Sequence, residues 1–158
     1  MKLMVNGPGS VFSSFVRLFC LLLFAFCLIG CSVPNLEDPD CTKARDVVRE
    51  FYSFHFGNDM HPTAENIALR EKFLTPAFVA RLKGLPTTTI DPFTHTEEFP
   101  KAFRVGECKV VEPGQAVRFG VLLFWKDDVK SQQRPVFASV RKENGNWLVD
   151  DVTTLEND

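Results

Sequence analysis

Hydrophobic residues change their spacing twice along this chain of 158 residues. An unbroken apolar block, residues 18–29, comes first. Between residues 44 and 82 the apolar positions recur at steps of three and four, which is typical of amphipathic helices. From residue 102 onward they alternate with polar or small residues, which is typical of β-strands. The pattern therefore predicts a separate N-terminal apolar segment, a helical part and a β-sheet, in that order.

The helical part is predicted to contain three helices and a loop. The first helix has an apolar face, a cap at Asp40 or Thr42, and an end at Gly57. Its apolar face comprises Ala44, Val47, Val48, Phe51 and Phe54. A second helix is expected over residues 65–73, and a third, short one begins at Thr75-Pro76 and ends at Gly84. The prolines within residues 85–100 favour an irregular loop.

Four strands are predicted after this loop, over residues 102–111, 115–125, 134–142 and 147–153. In the second strand one face is wholly apolar, and Asn144-Gly145 is a strong hairpin signal between the third and fourth. The apolar face comprises Val117, Phe119, Val121, Leu123 and Trp125. Helices followed by an antiparallel meander predict an α+β fold, with the N-terminal helices packed on a curved four-stranded sheet.

The N-terminal block ends in Leu28-Ile29-Gly30-Cys31, which resembles the lipobox of a bacterial lipoprotein signal peptide. Its length fits a signal-peptide core and falls short of the roughly 20 apolar residues that span a bilayer. Lys2 and Arg17 supply positive charge before it. The resemblance implies a signal peptide over residues 1–30 and a membrane anchor on the lipidated Cys31. An uncleaved anchor and ordinary cleavage without lipid are the alternatives.

The residues after the anchor refine the predicted location and the domain boundaries. Ser32 resembles the outer-membrane sorting state of lipoproteins, if the host is Gram-negative, which implies the periplasmic face of that membrane. Residues 31–40 are predicted to be a lipidated tether, because two prolines and three acids show no periodicity. Residues 41–158 are predicted to be a single α+β domain.

Composition changes this picture in two respects. Loss of Lys2 and Arg17 with the signal peptide would move the formal net charge from −2 to about −4, and no basic stripe indicates nucleic-acid binding. Three of the five cysteines lie within residues 1–31, which leaves Cys41 and Cys108. In an oxidising compartment this pair could form a disulfide, and two buried thiols that never meet are the alternative.

Several short segments in one order resemble a known family. Phe51-Tyr52, Leu74-Thr75-Pro76, Asp91-Pro92-Phe93 and residues 145–152 are similar to a bacterial lipoprotein domain of unknown function. That family has a cystatin-like, nuclear-transport-factor-two-like cone fold. The resemblance covers about residues 41–153, and it implies fold and location without any catalytic residues.

Candidate binding residues follow from the expected cone. Tyr52 and Trp125 could line a pocket, although aromatic residues at such spacings are more often core. Asp91 is expected to cap a turn while Phe93 enters the core, with a binding role as the alternative. Asp150 and Asp151 are adjacent on a strand, so they are expected to point to opposite faces. The inward one would hold a turn or pair with an arginine, or serve as a general base in the pocket.

No catalytic, metal or cofactor site is predicted. A metal site of His55, Asp59 and His61 is a weaker alternative, because the spacing of these residues matches no known ligand pattern. The preferred function is a non-enzymatic envelope lipoprotein that contacts another envelope protein through a sheet face or loop 85–100. The alternatives are a ligand-binding or catalytic cone, and an inhibitor or immunity protein acting against a periplasmic toxin.

Overall fold

The computed structural model describes residues 36–86, 88–126 and 131–154. Three α-helices precede four strands, and the helices pack against one antiparallel sheet. The predicted α+β fold class is therefore confirmed. No helix in these three ranges is both long enough and apolar enough to cross a bilayer. The predicted signal peptide and Cys31 lie outside the described residues.

Helix α1 is Pro39–Phe56, and it begins inside the predicted tether. Asp38 is the N-cap, because its side chain accepts a hydrogen bond from the Asp40 amide at 2.8 Å. The predicted caps Asp40 and Thr42 are therefore wrong. Proline lacks the N–H group that the first helical turn leaves unpaired, so Pro39 extends the helix toward the N-terminus. The helix ends at Gly57, whose amide donates to the Ser53 carbonyl.

Two shorter helices follow. Helix α2 is Ala64–Arg70, with Thr63 as its N-cap, and it continues into the 3₁₀ turn Glu71–Phe73. Helix α3 is Pro76–Lys83, capped by Thr75, whose hydroxyl accepts from the Phe78 amide at 3.1 Å. The structure thus divides the predicted second helix and reproduces the predicted third one.

The sheet is a meander with strand order β1-β2-β3-β4, and all its neighbours are antiparallel. The strands are β1 Ala102–Glu112, β2 Ala116–Lys126, β3 Ser131–Glu143 and β4 Asn146–Thr153. Asn144 and Gly145 both have positive φ at the β3–β4 hairpin, which is the conformation that a type I′ turn requires.

The core lies between helix α1 and the inner face of the sheet. Every second residue of β2 from Val117 to Trp125 is at least 95% buried, as the alternation predicted. From α1 the buried partners are Cys41, Ala44, Val48, Phe51 and Tyr52. Each fully buried Val or Phe side chain contributes about 2 kcal/mol of transfer free energy, so this layer is the main stabilising element.

A disulfide between Cys41 and Cys108 joins the first turn of α1 to β1. It closes a sequence separation of 67 residues across a Cα–Cα distance of 5.9 Å. In the chain-entropy description, such a loop contributes about 4 kcal/mol to the free energy of unfolding. The sequence alone had left this pairing open.

Candidate functional site

The interior of the predicted cone is occupied by the chain's own aromatic side chains. Tyr52 is fully buried on α1, and its hydroxyl donates to the Phe93 carbonyl at 3.0 Å. Desolvation raises the pKa of Tyr52 above its usual value, and the Asp91 carboxylate adds to this effect. Tyr52 therefore acts as a protonated hydrogen-bond donor inside the core rather than as the wall of an open pocket.

Trp125 lies at the end of the same buried layer. Trp125 is 5% exposed, and its indole N–H donates to the Glu98 carbonyl at 2.7 Å. The Arg134 guanidinium lies 5.8 Å from the indole ring centroid. Phe93 is 1% exposed and contacts Phe51 edge to face. The preferred prediction that Tyr52, Phe93 and Trp125 are core residues is thus confirmed, and Trp125 also contributes an edge to a surface depression of about 320 Å³ beside Glu98 and Arg134.

Asp91 joins loop 85–100 to helix α1. One carboxylate oxygen accepts the Phe93 amide at 3.3 Å, as the turn prediction required. The other accepts the Thr94 hydroxyl at 2.6 Å and contacts His55 Nε2 at 2.9 Å. The residue is 1% exposed. Asp91 therefore holds the loop against the core through His55, which lies in the last turn of α1.

His55 connects Asp91 to Arg70. The Arg70 Nε–H donates to His55 Nδ1 at 2.7 Å. Because an arginine cannot accept a hydrogen bond, Nδ1 is unprotonated and Nε2–H is the donor to Asp91. Arg70, His55 and Asp91 thus form a chain of positive, neutral and negative groups, each at most 1% exposed.

The remaining donors of Arg70 are used by backbone carbonyls. They bond to Asn66 at 2.6 Å, Asp59 at 2.8 Å and His55 at 3.4 Å. Desolvation lowers the pKa of Arg70, while the carboxylates of Asp91 and Asp59 oppose this shift. The gap bounded by these residues and Met60 has no volume for a water molecule. This network is closed to substrates and positions the helix ends instead.

The side chains of His55, Asp59 and His61 do not come together as a metal site. His55 is committed to Asp91 and Arg70, whereas the side chains of His61 and Asp59 contact each other at the surface. Hydrogen bonds from His61 and Asn66 lower the pKa of Asp59 to about 2, the His61 side chain having the largest effect. Across residues 36–86, 88–126 and 131–154, no three His, Cys, Asp or Glu side chains are placed to share a metal ion.

Asp150 and Asp151 do not face opposite sides of a regular strand. Both are partly exposed, between the buried Val149 and Val152, because an irregularity in the β3–β4 pairing inserts an extra residue there. Asp150 accepts the Thr75 hydroxyl at 2.6 Å, and Asp151 lies 3.4 Å from the Arg81 guanidinium. The predicted opposite faces and the alternative of a general base in a pocket are wrong, whereas the predicted pairing with an arginine is confirmed, because Asp150 also lies 3.7 Å from Arg141 Nε. Both acids fasten α3 to β4.

Several depressions lie on the surface of the described residues, and two of them are candidate binding sites. The first is an apolar groove of about 570 Å³ beside the start of loop 85–100. It is lined chiefly by Ile67, Leu82, Leu85, Pro86 and Pro92, and we refer to it as the loop groove. The second is a depression of about 310 Å³ on the outer face of the sheet, whose floor is Gly120. We refer to it as the outer-face depression.

Comparison with known proteins leaves the family open. No protein-family model matches the chain, and no curated protein matches it. A crystal structure of a protein of unknown function from Bacteroides thetaiotaomicron is similar at 18% identity and a TM-score of 0.49, covering 71% of this chain and 89% of that one. A solution structure of a SEC-C motif containing protein from Rhodopseudomonas palustris is similar at 11% identity and a TM-score of 0.38, covering 73% and 91%. Neither likeness carries an argument about function at these scores.

Sequence reasoning missed Arg70 and its bond to His55. Arg70, His55 and Asp91 belong to three different segments, and nothing in their spacing relates them. The alternation of β2 places Arg118, Gly120 and Leu122 on the face opposite the core, but only the pairing with β1 and β3 brings the cations of β1 and the ring of Phe137 beside them.

Proposed function

We propose that this chain is a lipid-anchored accessory protein of the bacterial cell envelope that acts by binding another envelope protein. The observation that carries the proposal is the filled interior. Tyr52, Phe93 and Trp125 are each no more than 5% exposed, and the polar atoms of Tyr52 and Trp125 bond to backbone carbonyls. A ligand inside the cone would have to displace these groups, so recognition is expected at the surface.

The loop groove supports a protein partner. Leu85 is 52% exposed, and it lines the groove together with Ile67 and Pro92. Contiguous exposed apolar surface costs solubility in a monomer, and it commonly marks a protein–protein contact. The bond between Asp91 and His55 holds the part of the loop next to Pro92, at one side of the groove. The apolar lining of the groove fits an apolar segment of a partner.

The anchoring part of the proposal is tested on Cys31. Cells expressing the chain are grown with labelled palmitate, and the protein is compared with a Cys31→Ser variant. We expect label and membrane association only in the unaltered chain, because acylation requires the thiol. Equal membrane association of the two proteins would show that Cys31 is not the anchor.

The binding part is tested by crosslinking in whole cells. A photoreactive phenylalanine analogue replaces Leu85 in the loop groove, and Arg49 in a second variant serves as the matched exposed control on α1. We expect one adduct of constant mass from position 85 and none from position 49. Identical products from both positions, or none from position 85, would contradict a specific partner at the groove.

A further inference from the structure

We propose that the outer-face depression binds a small organic anion, a carboxylate joined to a flat apolar group, between the cations of β1 and β2 and the ring of Phe137. This site is on the face of the sheet opposite the aromatic core. It goes beyond the proposed protein contact at the loop groove and does not depend on it.

The strand register assembles the depression around Gly120. Arg118 and Leu122 are the neighbours of Gly120 on the same face of β2. On β3, Phe137 is directly opposite Gly120. On β1, Lys109 pairs with Arg118, and Arg104 pairs with Leu122. Three cationic side chains and one aromatic ring therefore surround a floor that has no side chain.

The backbone conformation at residue 120, at the floor of the depression, does not require a glycine. A Cβ atom on Gly120 would meet only Phe137 Cε1, at 4.0 Å, which is ordinary contact, and its φ lies outside the left-handed region. Gly106 differs, because a Cβ there would approach the Gly120 carbonyl oxygen to 3.2 Å. Glycine in a strand interior weakens a sheet. The missing side chain at 120 therefore has a local cost, and its visible consequence is the open depression.

The charge of the lining selects an anion. Arg104, Lys109 and Arg118 contribute positive charge, against one acid, Glu107. The chain as a whole has a formal charge of −2, so this concentration of cations is not its average surface. A guanidinium group presents parallel N–H donors that match the two oxygens of a carboxylate. Arginine pairs with carboxylate and phosphate oxygens alike, and the apolar side chains of the same lining favour an organic carboxylate over inorganic phosphate.

The apolar part of the lining selects the rest of the ligand. Phe137 and Leu122 are half-buried, and Pro135 is exposed beside them. A ring stacked on Phe137 would cover these three side chains while its carboxylate points to β1. The volume of about 310 Å³ is at the lower end for small-molecule sites, which start at about 300 Å³. Both observations favour a compact aromatic acid.

A second copy of the chain fits this surface poorly. In a two-fold contact centred on the depression, each patch meets its own copy, so Arg104, Lys109 and Arg118 would oppose like charges. Such juxtaposition is unfavourable. The charge pattern therefore favours an anionic ligand over self-association at this face.

The test uses 3-phenylpropionate as the probe and 3-phenylpropanamide as its neutral control of the same shape. The full chain, labelled with ¹⁵N in detergent micelles, is titrated with each compound and followed by amide shifts. We expect the acid to shift the amides of Arg118, Gly120 and Phe137, and to bind at least about tenfold more tightly than the amide compound, which is roughly 1.4 kcal/mol. Equal binding of the two compounds, or shifts elsewhere, would overturn the proposal.

Variants separate binding from folding. Gly120→Val fills the floor and adds a side chain that strands favour, so we expect an unchanged or higher Tm and loss of binding. The pair Arg104→Gln with Arg118→Gln should weaken binding at least about tenfold, whereas the pair Lys43→Gln with Arg49→Gln, which removes the same two charges from the exposed face of α1, should not. Should Gly120→Val fail to fold, the arginine pair and its control decide the matter. Retained affinity in that pair would contradict the site.

A further titration with a peptide distinguishes a carboxylate on a small molecule from a carboxylate on a protein. The capped peptide Asp-Phe-Asp carries the same chemistry on a protein backbone. Weaker binding of this peptide than of 3-phenylpropionate supports a free organic anion. Binding of the peptide alone would assign the depression to a protein partner and overturn the small-molecule proposal.

Discussion

His55 Nε2 lies 2.9 Å from Asp91 Oδ2 in the core, although the two residues are 36 positions apart. This bond fastens the loop that follows α3 to the last turn of α1. Arg70 donates to the other ring nitrogen of His55. The buried positive charge of Arg70 and the buried negative charge of Asp91 therefore both have a hydrogen-bond partner in His55. Such an arrangement is costly to form, because both charges lose water, and costlier to break, because the remaining charge then has no partner.

Asp91→Asn should destabilise the chain strongly. The substitution keeps the shape but removes the negative charge that faces His55 and balances Arg70. We expect the free energy of unfolding to fall by about 3–5 kcal/mol, measured by urea denaturation. Asp46→Asn, on the exposed side of α1, is the control and should change it by less than about 0.5 kcal/mol. A loss below about 1 kcal/mol for Asp91→Asn would show that the network is not coupled to folding.

Tyr52 provides a direct optical measurement, because it is the only tyrosine in the chain. Its pKa is raised in the folded state, so the unfolded chain ionises first as pH rises past about 10. Stability is therefore fully present below that pH and is lost above it. We expect no tyrosinate absorbance at 295 nm until the protein unfolds, whereas the chain in urea titrates normally. Ionisation near pH 10 with retained structure would place Tyr52 in contact with solvent.

Reduction of the disulfide should lower stability without changing the fold. Cys41→Ser combined with Cys108→Ser releases a loop of 67 residues. We expect a loss of about 4 kcal/mol in the free energy of unfolding and a similar far-ultraviolet circular dichroism spectrum. Alkylation followed by mass spectrometry checks the pairing in the unaltered chain. Labelling of both thiols without a reductant would contradict it.

Thr75 is expected to matter more than an ordinary helix cap. It caps α3 and also donates to Asp150, so Thr75→Ala should cost about 2 kcal/mol. Thr63→Ala removes only the exposed cap of α2 and should cost about 1 kcal/mol. A double-mutant cycle of Thr75→Ala with Asp150→Ala should show a coupling of about 1 kcal/mol. Additive effects would mean that the two side chains act independently.

Local signals accounted for the number and order of the strands and for α3, but not for the Asp38 cap of α1 or for the start of β3 at Ser131. Thr75-Pro76 and Gly84 marked both ends of α3 correctly, because caps act through hydrogen bonds within one turn. Alternation in β2 identified the buried face, because successive side chains of a strand point to opposite sides. The same rule failed at Asp150 and Asp151. A bulge there depends on how β3 pairs with β4, and that pairing is not written in either strand alone.

The candidate site residues likewise include some that local signals identified and one that they did not. The preferred predictions for three residues are confirmed, because Asp91 caps the turn while Phe93 and Tyr52 are buried in the core, and the alternative of Tyr52 as a pocket wall is wrong. Their partner Arg70 gave no local signal, since a charged residue in a short helix is expected to be exposed. Burial of Arg70 became favourable only where Asp91 and His55 met it from other segments.

By itself the sequence determined the order of helices and strands, their main ends and the face of β2 that is buried. These features depend on interactions between residues a few positions apart, which a linear pattern records. Only the tertiary structure decided that the space between α1 and the sheet is filled, that Arg70, His55 and Asp91 form one buried network, and that Gly120 lies open among three cations. Those features depend on contacts between segments that are distant in the sequence, and these contacts form only when folding has ordered the chain between them.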